Sequence, residues 1–218
     1  MEIPVVRKVL AESDALAEQN RARFRSANVF TVNLMSSPGA GKTTLLAQTI
    51  QRLGQQGLRC GVIEGDIATT TDSQRLAPLG IPIVQVNTEP FGGDCHVGAH
   101  LVSAALEFLD LESLDYLFIE NIGNLVCPAE FDLGEHRKVV ILSLPEGEDK
   151  PLKYPLMFRE CHLCLLNKTD LLPYLNLDLA TFNQNIAQIN RQLPVIPISA
   201  QVGTGLDLWI NWLLANRD

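Results

Sequence analysis

Apolar, β-rich runs recur along the chain at 29–35, 59–64, 81–86, 116–120, 138–144, 163–166 and 195–198, and stretches of helical pattern lie between them. Residues 42–56, 94–110, 179–192 and 205–216 are the helical stretches, with apolar positions three and four apart. Alternation of this kind predicts an α/β fold, a mainly parallel sheet covered by helices on both faces. The breaks carry suitable punctuation at Gly54 and Gly57, Pro78 and Gly80, and Pro145 and Gly147. Residues 1–27 read as a charged helical prelude in which Val5, Val6, Leu10, Leu16 and Phe24 give a partial apolar face, expected to pack on a main domain at 28–218. No internal repeat or low-complexity tract interrupts the pattern.

Length and composition narrow this picture. With 218 residues, 46% of them hydrophobic, the chain can bury one sizeable core. A formal net charge of −8, without any dense Lys/Arg tract, argues against nucleic acid and leaves an acidic protein partner or a cation as the expected ligand. The first ten residues lack the apolar core of a signal peptide, and no run reaches membrane-spanning length, so the expected setting is cytoplasmic. Five cysteines in a reducing compartment are then buried thiols or metal ligands rather than disulfides.

The most informative stretch is Ser36-Ser37-Pro38-Gly39-Ala40-Gly41-Lys42-Thr43-Thr44, placed between an apolar run and a helical one. Gly39 and Gly41 let backbone N–H groups approach an anion, Lys42 brings a mobile positive charge to the β- and γ-phosphates, and Thr43 is the expected magnesium ligand. The usual phosphate-loop pattern, Gly-x-x-x-x-Gly-Lys-Ser/Thr, begins with glycine, and here Ser36 holds that place. Serine removes none of the phosphate-facing groups. The expected nucleotide contacts are Gly39, Ala40, Gly41, Lys42, Thr43 and Thr44.

Asn167-Lys168-Thr169-Asp170 ends the run at 163–166 and matches the Asn-Lys-x-Asp element with which many GTPases select guanine. Asp170 can accept from guanine N1–H and the exocyclic amine, a pairing adenine cannot offer. Ser199-Ala200, after the run at 195–198, resembles the short element that backs the base from its other side. Bound GTP or GDP follows.

Further polar residues gather where strands should end. Asp66 closes the second run, at the carboxyl edge where open α/β folds bind ligands, and is placed to orient an attacking water or a magnesium-bound one. Asp72 is either a second magnesium anchor on a switch segment or the N-cap of a helix at 73–79. Glu120 opens Glu-Asn-Ile-Gly, which resembles the Asp-x-x-Gly switch with a longer acid that still reaches Mg2+; Gly123 would lie near the γ-phosphate. Adjacent Cys95 and His96, with Cys127 downstream, supply the soft N/S donors that nickel or zinc accepts, although none stands in a Cys-x-x-Cys pair and a buried-thiol reading stays open. His100, four residues beyond His96, would share its face if 94–110 is helical. In Cys161-His162-Leu163-Cys164, strand alternation sends Cys161 and Leu163 to one face and His162 and Cys164 to the other, so this cluster reads as buried strand, as does Cys60. His136 shows no partner in sequence.

Taken together, the phosphate loop, Glu-Gly-Asp, Cys-His, Glu-Asn-Ile-Gly-Asn-Leu-Val-Cys-Pro, Asn-Lys-Thr-Asp and the segment Pro-Glu-Gly-Glu-Asp-Lys-Pro-Leu-Lys-Tyr-Pro-Leu-Met-Phe at 145–158 closely resemble the HypB family over nearly the whole chain. The resemblance implies a SIMIBI-class P-loop NTPase fold and slow GTP hydrolysis. It also implies GTP-dependent homodimerisation and delivery of nickel to the large subunit of NiFe hydrogenase together with a HypA-type metallochaperone. By motif it assigns Cys95, His96 and Cys127 to a nickel or zinc site at the dimer seam, while the residues themselves place Lys42 and Asp66 in catalysis and Thr43, Asp66, Asp72 and Glu120 around magnesium. Residues 1–30 hold neither cysteine nor histidine, so the nickel-storage tracts of some members are not expected. Leu171 and Leu175 are spaced to share a helical face at the dimer contact, unless Pro173 turns them into the core, and Lys150 or Lys153 are candidates for a charge across that contact. Three readings compete. A urease-type nickel GTPase would carry Cys-Pro-His, whereas Cys127-Pro128 is followed here by Ala129. A noncatalytic metal carrier or scaffold would transfer metal indifferently to Lys42→Ala. A regulatory GTPase with structural cysteines would show no metal-linked spectral change.

Overall fold

A computed structural model of the protein describes residues 7–67, 71–88 and 95–217, with side chains from residue 12 onward and not at 71–72. Among the described residues seven strands form one sheet: β1 (Phe30–Ser36), β2 (Cys60–Asp66), β3 (Ile83–Asn87), β4 (Tyr116–Glu120), β5 (Arg137–Ser143), β6 (Leu163–Asn167) and β7 (Val195–Pro197). Their order is β3-β2-β4-β1-β5-β6-β7, and every pairing is parallel. All carboxyl ends therefore face the same edge. Strand order reverses beside β1, and a ligand crevice opens there.

Burial on both faces explains why the strands read as continuous apolar runs. Tyr116 and Phe118 face a core shared with Val32, Leu34, Leu45, Leu53, Trp209 and Leu213, beneath α2 (Lys42–Gln55) and α9 (Leu206–Ala215). Leu117 and Ile119 point the other way, with Phe24, Val102 and Leu106, under α1 (Arg7–Ser26) and α4 (Ala99–Ala105). The β5–β6 half of that face is closed by Met157, Phe158, Phe182 and Ile186 from α7 (Pro155–Glu160) and α8 (Leu179–Ile189). Trp209 is fully buried and its indole N–H donates to Thr49 Oγ1 (2.8 Å), joining α9 to α2 through a satisfied polar contact. Fully buried Asn20 anchors α1 by donating to the carbonyls of Ala99 (3.0 Å) and Leu133 (3.1 Å). Val5, Val6 and Leu10 lie where side chains are not described.

Where the structure differs from the sequence reading, short elements are responsible. The expected helix at 94–110 begins only at Ala99, with Gly98 extended before it, and ends in a 3-10 turn at Leu106–Phe108. His96 thus precedes the helix and shares no helical face with His100. Residues 169–174 form a 3-10 helix with Pro173 inside it. Its three-residue period pairs Leu172 with Leu175, and both pack on the core under α8; Leu171 and Leu175 do not share a face. Cys161 is the C-cap of α7 rather than part of β6, so Cys161 and Cys164 join the same core, opposite Leu163. The described residues also include the short helices α3 (Thr71–Leu76), α5 (Cys127–Glu130) and α6 (Lys150–Lys153).

Candidate functional site

The phosphate loop leaves β1 at Ser36 and enters α2 at Lys42. Gly41 adopts φ +98°, and a Cβ there would lie 2.5 Å from Asn167 Nδ2, so conformation and space both demand glycine. The Asn167 amide donates to Ala40 C=O (2.8 Å) and accepts from Ala200 N–H (3.0 Å), joining the phosphate loop to the Ser199-Ala200 turn. Lys168, in the left-handed region at φ +63°, extends its ammonium to Gly39 C=O (2.7 Å). Asp170 accepts from the Ser199 hydroxyl, which also receives Val202 N–H (3.3 Å). Ser36 has a use of its own: its hydroxyl accepts from Lys42 Nζ (2.9 Å) and donates to Ser37 C=O (2.6 Å).

Beside the loop, a cleft of about 260 Å³ is lined by Pro38, Lys42, Glu64, Asp66, Glu120 and Gly123, among others. Thr43 Oγ1 donates to Glu120 Oε1 (2.7 Å), and the parallel register sets Glu64 directly beside Glu120, both about 2% exposed. Asp66 sits at the mouth, its Oδ1 accepting from Ile67 N–H (2.6 Å). Hydroxyl and carboxylate oxygens of this kind suit a hard cation such as magnesium. Sequence placed Glu64 with Asp66 at the carboxyl end of the second run but gave it no role of its own; its signal was a carboxylate at a buried strand position two residues before Asp66. Arg75 was missed, and from α3 it reaches Thr44 Oγ1 (3.3 Å). The side chain of Asp72 lies outside the described residues.

The segment 120–127 runs from this cleft to the cysteines. A Cβ on Gly123 would stand 3.0 Å from the Pro38 backbone, so the segment lies directly on the phosphate loop. Asn121, 1% exposed, accepts Val97 N–H (2.9 Å), and Asn124 donates to Cys95 C=O (3.3 Å), which ties residues 95–97 to both ends of Asn121–Asn124. Cys95 is exposed, half-buried Cys127 opens α5, and the His96 ring stacks on Phe131 with centroids 4.2 Å apart. Among the described residues no three His, Cys, Asp or Glu side chains converge to hold a metal ion. The loops are neighbours, but the three donors are not closed into one pocket.

Other chemistry-bearing groups lie elsewhere. Burial pushes the Cys60 thiol up to about 12 and the Cys161 and Cys164 thiols well above their ordinary value, leaving all three neutral and inert. His162 accepts Lys138 N–H (3.0 Å), and His136 accepts Thr31 N–H (3.0 Å) while stacking on Phe30, the partner that sequence did not show. A larger cleft of about 850 Å³ lies by these histidines at the amino edge of β5, away from the phosphate loop. Lys153 pairs with Asp149 (2.5 Å) and Lys150 lies over the Tyr154 ring (5.6 Å), so both candidate cations have local contacts. No described helix is long and apolar enough to cross a membrane.

Against known proteins, residues 30–197 match the CobW/HypB/UreG nucleotide-binding domain family. The hydrogenase maturation factor HypB of Escherichia coli is 51% identical over 209 residues, which covers 96% of this chain and 71% of that protein. The crystal structure of HypB from Helicobacter pylori in complex with nickel superposes with a TM-score of 0.88 at 33% identity, covering 94% of this chain and 95% of that one. HypB from Archaeoglobus fulgidus gives 0.87 at 35% identity, covering 96% and 100%.

Proposed function

Because the chain belongs to the CobW/HypB/UreG family, and within it to the HypB hydrogenase maturation factors, we propose that it is a cytoplasmic GTPase that couples slow hydrolysis of GTP to delivery of nickel into the large subunit of NiFe hydrogenase. One observation carries this reading. Residues 120–124 touch Thr43 through Glu120 and the phosphate loop through Gly123, and hold the Cys95–Val97 segment through Asn121 and Asn124. A change at the γ-phosphate therefore has a short path to the metal donors.

In this reading the loop amides and Lys42 bind the phosphates, and Asp170, backed by Ser199 and Ala200, selects guanine. Thr43 and Glu120 would hold magnesium, with Asp66 and Asp72 beside them; the ion would neutralise charge on the phosphates. Asp66 orients the attacking water. Cys95, His96 and Cys127 bind nickel, or zinc in its place, as thiolate and imidazole donors suit both. The donors gather when GTP brings two copies together, and hydrolysis releases nickel to the large subunit with a HypA-type partner. The open arrangement of the three donors in one chain fits a site completed by a second copy.

A nickel titration followed by thiolate charge-transfer absorption tests this, with GDP and with a nonhydrolysable GTP analogue, on wild type and Cys127→Ala. A band that depends on nucleotide and vanishes in the variant is expected. A band indifferent to nucleotide would leave a metal carrier, and no band would return Cys95 and Cys127 to structural roles.

A further inference from the structure

Residues 145–149 belong to none of the sites above, yet they are fastened at three points. Glu146 closes a capping box on Ser143, accepting its N–H (2.8 Å) and its hydroxyl (2.8 Å) at Oε1. Its Oε2 accepts the hydroxyl of Ser37, the second residue of the phosphate loop. Two residues on, Glu148 accepts Asp178 N–H (3.1 Å) at the start of α8, and its carbonyl receives the Asn185 amide (2.9 Å). Asp149 pairs with Lys153, a hydrogen bond that holds its carboxyl below the ordinary range.

Seen from the phosphate loop, these contacts complete a set. Residue 37 is held by Glu146, residue 39 by Lys168 and residue 40 by Asn167. The loop contains two glycines at positive φ, Gly39 at +74° and Gly41 at +98°. Such a sequence gives up much conformational freedom when its N–H groups are fixed around an anion. Tethers that fix it beforehand remove that cost from binding. Two tethers come from the guanine-reading strand; the third comes from the end of β5, on a different loop.

We propose that Glu146 is a positioning residue for the nucleotide site: through Ser37 it holds the first turn of the phosphate loop in its phosphate-binding shape, without touching the nucleotide. Because the tether acts on a part of the loop common to both nucleotides, it strengthens GDP and GTP binding equally and leaves the hydrolytic step alone. This inference rests on the nucleotide reading above.

The test is a double-mutant cycle on the full chain, reading the Kd of a fluorescent GDP and a fluorescent nonhydrolysable GTP analogue. Glu146→Ala and Ser37→Ala should each weaken both by about tenfold, the scale of one charge-assisted hydrogen bond. Combined, they should be little worse than either alone, and in turnover KM should rise with kcat unchanged. Glu146→Gln keeps one acceptor oxygen and should recover part of the loss. Ser143→Ala removes only the cap hydroxyl and should lower Tm while leaving Kd within about twofold, which separates the tether from a folding defect. The inference is overturned if Glu146→Ala alone leaves Kd unchanged, or if it weakens binding equally in the Ser37→Ala background. Wild-type protein that bound neither nucleotide would instead remove the nucleotide reading itself.

Discussion

The two halves of the candidate site are built differently. On the nucleotide side, β1 and β6 end next to one another's loops, and side chains cross between them: Asn167 to Ala40 and Ala200, Lys168 to Gly39, Ser199 to Asp170. The pocket is held together by the protein's own side chains. On the cysteine side, Cys95 is exposed, Cys127 is half-buried on a four-residue helix, and backbone-directed contacts from Asn121 and Asn124 keep their loops adjacent without closing the donors. A preassembled site binds without waiting for a conformational change. An open one can be made or unmade by whatever moves its loops, and such an arrangement suits a cargo that must leave.

The sharpest way to break this comparison is Asp170→Asn. If Asp170 selects guanine as proposed, losing its carboxylate should weaken GDP by about 100-fold, from about 3 kcal/mol, measured by fluorescent-nucleotide titration. At a concentration of the nonhydrolysable GTP analogue high enough to saturate the variant, the nickel–thiolate band should survive, and its loss would show that the halves are not separable. Cys127→Ala approaches from the other side. Nickel affinity should fall at least about tenfold, the loss typical even of a supporting residue in a metal site, while GDP affinity stays within about twofold. A parallel fall in GDP affinity would mean that Cys127 helps to shape the nucleotide pocket.

Beneath the preassembled half, Trp209→Phe keeps an aromatic ring in the core but removes the hydrogen bond to Thr49. Urea denaturation should show a loss of about 1 kcal/mol, plus the packing term of a smaller ring. The smallest effect belongs to the amino edge of the sheet. Burial and the neighbouring Arg137 hold the His136 imidazole below its ordinary value, so the unfolded chain takes up this proton more readily than the folded one. The stability that His136 contributes is complete above its unfolded pKa of about 6.5 and is lost as pH falls through that value towards the depressed folded one. His136→Gln keeps an acceptor for Thr31 N–H that cannot be protonated in this range. Its Tm should fall less than that of wild type between about pH 7.5 and pH 5.5, and an equal fall would exclude His136 from the acid response.

The sequence was legible wherever one residue type answers one physical demand. The runs at 29–35 and 163–166 became β1 and β6 within one residue at each end, because strands buried on both faces must be apolar throughout. Gly41 was legible because nothing else tolerates its φ beside Asn167. Less legible were the places where a short element decides direction. Periodicity alone could not show that Gly98 delays α4 until Ala99, which takes His96 off the helix, or that Cys161 caps α7 instead of starting β6.

By itself, then, the chain determined its layered α/β plan, its glycine-rich phosphate loop and the strand that ends at Asn167, since each rests on local backbone demands or on continuous burial. Only the tertiary structure decided which side chains meet across elements. Glu64 came to lie beside Glu120 through the register of β2 on β4, and Glu146 met Ser37 because β5 neighbours β1. Asn121 and Asn124, on the loop after β4, came to hold residues 95–97 by hydrogen bonds that span more than twenty residues of chain. Those pairings are set by strand order and register, which come from packing the whole sheet at once, and no window of sequence contains them.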